Sequence, residues 1–289
     1  MSKYSVVIPS LYKIDKDYLK LCVESLRASG FDGEVIVVTN GTPLPEPLDI
    51  RGITKRLHTR DQGQCIATNI GVSAATSDWV LVSNSDMYYA PGWDNYISHD
   101  DDWSRIIKLK QWVFSPNLIE PINNAGSAPP FLKFDGGLTV EEFNKKVVDN
   151  FVREKVSQGK DKPYWSFESY ETGFNLPFFI KKDLWDFLKG YDTAFDPWGS
   201  NSDTCLQTRI NLAGVIPMRL RDVLVYHFSN KSGTFDGTHQ AEYQHNLEYF
   251  KSKFGFDRDE LGSDVWYNKD MIPTDKEKIK YVQPRFQQS

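Results

Sequence analysis

The chain has 289 residues, of which 40% are hydrophobic and 25% charged, so it is long enough to bury a substantial core. The formal net charge of −5 excludes an overall basic surface for nucleic acid, although a local basic strip remains possible. The first ten residues lack a signal-peptide pattern and no apolar run reaches membrane-spanning length, which predicts a soluble cytoplasmic protein.

The first hundred residues alternate between strand and helix patterns. Residues 4–9 form an apolar run typical of a strand buried on both faces, and Asp15 is predicted to cap a helix that Gly30 ends. The next predicted elements are a strand at 34–38, a strand at 53–57, a helix at 63–75 and a strand at 79–83. This alternation predicts a doubly wound, parallel α/β sheet whose ligand lies beyond the carboxyl ends of the strands.

The pattern is less regular between residues 100 and 174. Residues 115–137 are rich in Pro, Asn and Gly and predict a long loop. An amphipathic helix is predicted from Thr139 to Gln158, with inward-facing Phe143, Val147, Phe151 and Val152. We interpret this region as an insertion rather than a continuation of the sheet. Regular patterns return as a strand at 176–180, helices at 182–189 and 202–213, and strands at 215–220 and 223–228.

Three cysteines, Cys22, Cys65 and Cys205, follow no metal or disulfide spacing. Each is placed among apolar neighbours on the face of a predicted helix. We therefore expect all three to be small buried apolar residues rather than reactive thiols.

Asn84, Ser85 and Asp86 follow the strand predicted at residues 79–83. A carboxylate at this edge is well placed to hold a divalent cation against a diphosphate, because Mg²⁺ and Mn²⁺ take oxygen ligands and share them with phosphates. The alternative is a turn aspartate that bonds its own backbone. His227 ends a later apolar strand, where a lone histidine is more often structural. An Asp and a distant His that converge on one cation favour the metal interpretation for both residues.

Asp203 opens a predicted helix shortly after Trp198 and Gly199. An aspartate in a first helical turn is favoured by the helix dipole and needs no chemical role. Beside an aromatic wall it can also take the proton of an acceptor hydroxyl, and we interpret Asp203 as this base. The polar segment at 229–234 contains Lys231, and it is either a loop that closes over a diphosphate or an ordinary surface loop.

Together these segments resemble the glycosyltransferases of family 2, which have the GT-A fold, over roughly residues 4–255. The motifs that carry the resemblance occur in the family's order. They are Tyr4–Ser10, then Asp61 with Gly63, Ala67, Asn69 and Gly71, then Val80–Asp86 with Pro91-Gly92-Trp93, then Trp198-Gly199 with Asp203, and last Val225–His227.

The resemblance implies an α/β fold of the GT-A type, with a mostly parallel Rossmann-like sheet flanked by helices, an acceptor-side insertion and a C-terminal extension. It implies a nucleotide-sugar-binding half at residues 1–100 and an acceptor-binding, catalytic half at 101–230, merged into one domain. A closing loop, helix and tail would occupy 231–289. The implied reaction moves a sugar from a nucleotide diphosphate sugar, with a UDP-sugar favoured, to an acceptor hydroxyl with inversion, assisted by Mn²⁺ or Mg²⁺.

The resemblance also implies a role for each candidate residue. Asp86 and His227 would ligate the metal, Asp203 would deprotonate the acceptor, and Trp198 and Gly199 would lie on the acceptor side. The residues expected around the nucleotide sugar are Pro9, Ser10, Thr39, Asn40, Arg60, Asp61, Asn84, Ser85 and Lys231. The chain departs from the family at Thr39-Asn40, where acidic residues are frequent, and at Asn84, where a carboxylate is usual and the amide brings no charge.

Two other functions remain open from the sequence. A nucleotidyltransferase normally has a glycine- and basic-rich loop after its first strand, which residues 9–12 do not provide. A non-catalytic nucleotide- or carbohydrate-binding protein with the same fold is compatible with the neutral Asn84. The acceptor is expected to be a saccharide bound by residues 100–200, with a modified DNA base as the alternative that the negative net charge disfavours.

Overall fold

The computed structural model describes residues 3–41, 48–97, 103–104, 106–107, 110–122, 132–158, 170–172, 176–228, 239–258, 280–281 and 284–287. Within these ranges the chain forms one mixed sheet with helices packed against it. None of the helices described there is long and apolar enough to cross a membrane.

The first half of the chain is a regular α/β unit. Its elements are β1 (Tyr4–Ser10), α1 (Tyr12–Ala28), β2 (Val35–Asn40), β3 (Lys55–Thr59), α2 (Gln64–Ala74), β4 (Trp79–Val82) and β5 (Met87–Tyr88). Strands β1, β2 and β4 are buried along their whole length, as their continuous valine and isoleucine runs predict for a sheet covered on both faces. Helix α2 packs closely on β1, since a Cβ at Gly71 would lie 2.4 Å from Cγ1 of Val7.

The second half adds strands of both directions to the same sheet. Its elements are β6 (Val113–Glu120), β7 (Leu132–Lys133), α3 (Lys145–Gln158), β8 (Tyr170–Thr172), β9 (Phe178–Lys181), α4 (Lys182–Leu188), a 3₁₀ turn (Thr193–Phe195), α5 (Ser202–Leu212), β10 (Met218–His227) and α6 (Gln240–Phe254). The strand order is β3-β2-β1-β4-β9-β6-β10-β5, with β7 beside β6 and β8 beside β10.

Strand directions decide which side chains meet at the edge of the sheet. Strands β3, β2, β1 and β4 are mutually parallel, whereas β9 runs antiparallel to both β4 and β6. The two reversals restore the original direction, so β6 and its parallel neighbour β10 run the same way as β1–β4. The carboxyl ends of all six strands therefore lie at one edge, and this edge carries Ser10, Asn40, Asp86, Glu120 and His227.

The predicted loop at residues 115–137 is wrong for its first part. Strand β6 runs through Ser115, Pro116 and Asn117, and it is buried at every position because it lies between β9 and β10. The two strands predicted at 215–220 and 223–228 are instead the single strand β10, with an irregularity in its pairing to β6 between Leu220 and Leu224. The polar residues inside both strands are accommodated by neighbouring strands, which the local sequence pattern does not reveal.

Two details of the helices also differ from the prediction. Helix α1 begins at Tyr12 and not after Asp15, whose φ and ψ of −110° and 16° interrupt the helix and whose side chain is buried. In α3 the buried face consists of Val148, Val152 and Val156, at a spacing of four residues, whereas Val147 is 38% exposed. Cys22, Cys65 and Cys205 are buried free thiols on α1, α2 and α5, as predicted.

Candidate active site

Asp86 and His227 come together at the common edge of the sheet. Residues 87–88 form β5, which pairs antiparallel with the end of β10, and the amide of Phe228 donates to the carbonyl of Asp86 at 3.0 Å. As a result, Nε2 of His227 lies 3.6 Å from Oδ2 of Asp86. Asp86 is 1% exposed. The convergence of these two residues, predicted from the sequence, is present in the structure.

Glu120 completes this group and was not identified from the sequence. Its Oε1 lies 3.2 Å from Nδ1 of His227, and its Oε2 accepts from Nζ of Lys133 at 3.2 Å. Burial by itself lowers the pKa of His227, but the carboxylates of Asp86 and Glu120 raise it to about 9. Glu120 ends β6, so its role could have been found only by recognising residues 113–120 as a strand parallel to β10.

A carboxylate behind an imidazole is the usual support for a metal-binding histidine, because it fixes the ring and its tautomer. The donor set of one carboxylate and one imidazole fits Mn²⁺ or Mg²⁺ that also binds diphosphate oxygens. Within the described ranges, no group of three or more His, Cys, Asp and Glu residues is arranged to hold a metal by itself. Any ion held here would therefore take its remaining ligands from elsewhere, such as a bound diphosphate.

Ser10 and Ser85 both donate to a buried carboxylate that the sequence did not single out as part of the site. The hydroxyl of Ser10 donates to Oδ1 of Asp15 at 2.7 Å, and that of Ser85 donates to Oδ2 at 2.5 Å. Burial raises the pKa of Asp15 to about 6, although both hydroxyls lower it. Asp15 therefore joins the ends of β1 and β4 directly beside Asp86.

Thr39 and Asn40 are held by the neighbouring backbone. The side-chain Nδ2 of Asn40 donates to the carbonyl of Ser10 at 3.1 Å, and its Oδ1 accepts from the backbone amide of Gly63 at 3.0 Å. Thr39 Oγ1 donates to the carbonyl of Leu57 at 3.2 Å. Both side chains thus connect adjacent strand ends and shape the edge on which a ligand would rest. Pro9 lies beside them in β1, paired with Val38 of β2.

Arg60 and Asp61 lie beyond the end of β3 and are exposed. The backbone amide of Asp61 donates to Oγ1 of Thr59 at 3.3 Å. Both residues therefore lie at the rim of this edge. Lys231 lies outside the described residues, and its predicted contact with phosphates stays a prediction.

The loop that leads to Asp203 contacts both halves of the chain. Oδ1 and Oδ2 of Asp196 accept from the backbone amides of Cys65 and Ile66, at 3.0 and 2.9 Å. They thereby provide acceptors for backbone N–H groups in the first turn of α2 that have no partner within the helix. A Cβ at Gly63 would lie 2.1 Å from Cγ of Asp196, so only glycine allows this approach. Asp196 was not identified from the sequence, because its contact with residues about 130 positions away leaves no local signal.

The same loop reaches Asn84 through Gln64. The amide of Gln64 donates to Oδ1 of Asn84 at 3.4 Å, and a Cβ at Gly199 would be only 3.5 Å from Cβ of Gln64. Trp198 stacks on His239, which precedes α6, with ring centroids 3.6 Å apart and an interplanar angle of 17°. Trp198 is therefore a packing residue of the loop on at least one of its faces.

Asp203 lies in the first turn of α5 and is partly exposed. Its Oδ1 accepts from the hydroxyl of Tyr191 at 2.5 Å. Burial raises the pKa of Asp203, and the hydrogen bond from Tyr191 lowers it. Because Gln64 bonds Asn84 and packs on the loop before α5, the structure brings Asp203 to the same side of the molecule as Asp86 and His227.

Two comparisons with known proteins concern the amino-terminal segment and the fold. Residues 5–97 match the sequence model described as glycosyl transferase family 2. The crystal structure of S. aureus TarS 1–349 superposes with a TM-score of 0.51 at 15% identity, covering 91% of this chain and 76% of TarS. The complex of the same S. aureus protein with UDP gives a TM-score of 0.50 at 14% identity, with the same coverage. A search of curated protein sequences finds no match.

Proposed function

We propose that the chain is a glycosyltransferase, with a family-2 segment on the GT-A fold, and that it transfers a sugar from a nucleotide diphosphate sugar to an acceptor hydroxyl with inversion. The observation that carries the proposal is the meeting of Asp86 and His227 at the edge of the sheet that also faces the Asp203 loop. The UDP complex of the structural relative supports UDP-sugar as the donor.

Asp203 acts as the base in this proposal. It takes the proton of the acceptor hydroxyl while the acceptor oxygen forms a bond to the anomeric carbon of the sugar. The bond from that carbon to the diphosphate oxygen breaks, and the nucleotide diphosphate leaves with the electron pair. One displacement in line with the leaving group inverts the anomeric centre. The partly buried position of Asp203, with one carboxylate oxygen fixed by Tyr191, suits a base whose other oxygen meets the acceptor.

Asp86 and His227 would hold Mn²⁺ or Mg²⁺ in this site. The ion, when bound, neutralises the negative charge that develops on the departing diphosphate. Glu120 keeps the imidazole of His227 in the orientation that points Nε2 toward Asp86. Asn84, which is bonded by Gln64, remains a neutral neighbour that can accept from a ribose hydroxyl or a metal-bound water.

Calorimetric titration of UDP tests the donor side of the proposal. We expect wild-type protein to bind UDP more tightly with Mn²⁺ than with EDTA, and Asp86→Ala to lose that difference. Asp17→Ala, which removes an exposed carboxylate of α1, is the control and should keep it. If Mn²⁺ still increases the UDP affinity of Asp86→Ala as much as that of the wild type, Asp86 is not a metal ligand.

A transfer assay separates an enzyme from a binding protein. We expect wild-type protein with Mn²⁺ to transfer or hydrolyse at least one member of a panel of UDP-sugars. NMR of the first-formed sugar product should show the anomer opposite to that of the donor. Retention of configuration would exclude the single displacement, and binding without turnover of any donor would favour the non-catalytic alternative.

A further inference from the structure

Tyr191 contacts the carboxylate that the proposed function uses as its base. The phenol oxygen lies 2.5 Å from Oδ1 of Asp203, and Tyr191 itself is 2% exposed. Its ring packs edge-on against Trp185, with centroids 5.5 Å apart at 80°. Among the described residues, Tyr191 provides the hydrogen bond to this carboxylate, so Oδ2 is left for another partner.

The backbone of Tyr191 is fixed by a residue from the other half of the chain. Asn69 of α2 accepts from the Tyr191 amide and donates to the Tyr191 carbonyl, both at 2.9 Å. The preceding Gly190 has a φ of +65°, and a Cβ there would lie 2.3 Å from Oδ1 of Asn69. The turn therefore requires glycine, and it leaves the tyrosine one position along the chain.

The helix that carries Asp203 also fixes this turn. Arg209 of α5 is buried, and its guanidinium donates to the carbonyl of Leu188 at 2.8 Å and to that of Gly190 at 2.7 Å. Asp203 and Arg209 thus both contact the segment at residues 188–191. Asp203 accepts from the Tyr191 hydroxyl, and Arg209 donates to the backbone carbonyls of Leu188 and Gly190. Hydrogen bonds from α2 and α5 together determine where the phenol meets the carboxylate.

The Tyr191 hydroxyl also opposes the effect of burial on the pKa of Asp203. Burial favours the neutral form of Asp203, whereas a donor to the charged form favours ionisation. The pKa of Tyr191 is raised well above its ordinary value, mainly by burial and also by Asp203, so the phenol keeps its proton at neutral pH. An ionised carboxylate is the form that can accept the acceptor proton.

From these contacts we propose that Tyr191 is a positioning residue of the transfer step, whose hydroxyl fixes Oδ1 of Asp203 and leaves Oδ2 for the acceptor. This inference rests on the proposed role of Asp203 as the base. In this proposal Tyr191 itself contacts neither the donor nor the acceptor. Removal of the hydroxyl should therefore change the chemical step and its pH dependence, and leave donor binding unchanged.

The test is the pH profile of kcat for Tyr191→Phe, which keeps the ring and removes the hydroxyl. We expect kcat to fall about ten-fold at its plateau, because a hydrogen bond to a charged group is lost. The acid limb should move up by about one pH unit, because the donor no longer favours the charged form of Asp203. The KM for the donor should stay at the wild-type value.

Tyr249→Phe is the matched control, since its hydroxyl donates to Oδ2 of Asp192 at 2.9 Å and not to Asp203. It should keep the wild-type acid limb. In an Asp203→Asn background, Tyr191→Phe should cause no further loss. Should Tyr191→Phe be poorly folded, 3-fluorotyrosine at position 191 replaces it, and this more acidic donor should move the acid limb to lower pH.

The outcomes separate this inference from the proposed function. Wild-type turnover of Asp203→Asn would overturn the base itself. An inactive Asp203→Asn together with a Tyr191→Phe variant of unchanged kcat and acid limb would overturn the role of Tyr191 alone. A loss of kcat without any shift of the acid limb, accompanied by a weaker donor KM, would identify Tyr191 as a packing residue only.

Discussion

The chain positions Asp86, on the proposed donor side, and Asp203, on the proposed acceptor side, by different means. Asp86 lies between β4 and β5, directly before β5, and meets His227 because β5 and β10 are hydrogen-bonded neighbours. Asp203 depends on a loop whose contacts come from α2 and α6, through Asp196 and Asn246. The donor side is thus determined by strand order and the acceptor side by long-range side-chain contacts.

This contrast predicts different responses to mutation. Changes on the donor side should alter metal and nucleotide affinity, since the groups there lie on rigid strand ends. Changes around the Asp203 loop should alter turnover and stability, since each contact joins segments far apart in the chain.

Asp203→Asn should lower kcat about a thousand-fold, because the amide cannot accept the acceptor proton. The affinity for UDP with Mn²⁺ should stay at the wild-type value, since Asp203 is proposed to contact the acceptor and not the nucleotide. Steady-state kinetics and calorimetry on the same preparation measure both quantities. A comparable loss of nucleotide affinity would show that the two sides are not separate.

Asp15→Asn should change the pH dependence of stability on the donor side. The folded-state pKa of Asp15 is raised from its ordinary value of 3.8 to about 6, so between these values the folded chain binds more protons than the unfolded chain. Asp15 therefore favours folding at low pH, and the advantage, about 3 kcal/mol at most, is lost as the pH rises from 4 to 6.

Urea unfolding of the metal-free protein from pH 4 to pH 7 checks this prediction. The difference in unfolding free energy between wild type and Asp15→Asn should shrink or reverse with rising pH, in favour of the variant. Asp17→Asn, on the exposed face of the same helix, controls for the loss of a charge. A difference between wild type and Asp15→Asn that is constant with pH would contradict the assignment of the titration to Asp15.

Glu120→Gln should weaken the affinity for Mn²⁺ about 10- to 100-fold, because it removes the carboxylate that orients His227. The affinity for UDP measured in EDTA should not change. Titration of Mn²⁺ into the protein with saturating UDP provides the measurement. Equal Mn²⁺ affinities of the variant and the wild type would mean that Glu120 does not support a metal ligand.

Asn246→Ala should reduce stability by about 1–3 kcal/mol, because the Asn246 amide donates to the carbonyls of Phe195 and Ser200, at 3.0 and 3.1 Å. Thermal unfolding should show a decrease of a few degrees. Gln244→Ala, an exposed position on α6, should have almost no effect. If Asn246→Ala lowers UDP affinity more than kcat, α6 supports the donor side instead.

Much of the donor side could be predicted from the sequence. Apolar runs at β1, β2 and β4 identify strands buried on both faces, and polar residues that follow such strands must lie at their ends. Parallel strands share the direction of those ends, so Ser10, Asn40 and Asp86 could be placed at one edge. The pairing of Asp86 with His227 was inferred from residue type, and the two side chains lie 3.6 Å apart, while their shared metal stays a prediction.

The remaining contacts depend on tertiary structure. Glu120 was missed because Ser115, Pro116 and Asn117 hide a strand that only its neighbours β9 and β10 stabilise. The sequence predicted Asp15 to be a helix cap, because an aspartate before an apolar helical pattern usually is one. Its carboxylate is instead buried and accepts from the hydroxyls of Ser10 and Ser85. In both cases at least one deciding partner is distant in sequence: β10 for β6, and Ser85 for Asp15.

From the sequence we predicted the class of fold, the edge of the sheet at which a ligand is proposed to bind, and the residues proposed to hold a metal or act as a base. These follow from local periodicity and residue chemistry, which a window of a few residues contains. Tertiary structure alone decided that β6 completes the sheet, that Glu120 supports His227, and that Tyr191 and Asp196 are placed by α2. Hydrogen bonds between segments 60 or more residues apart leave no periodic signal, because their partners are chosen by the packing of the whole chain.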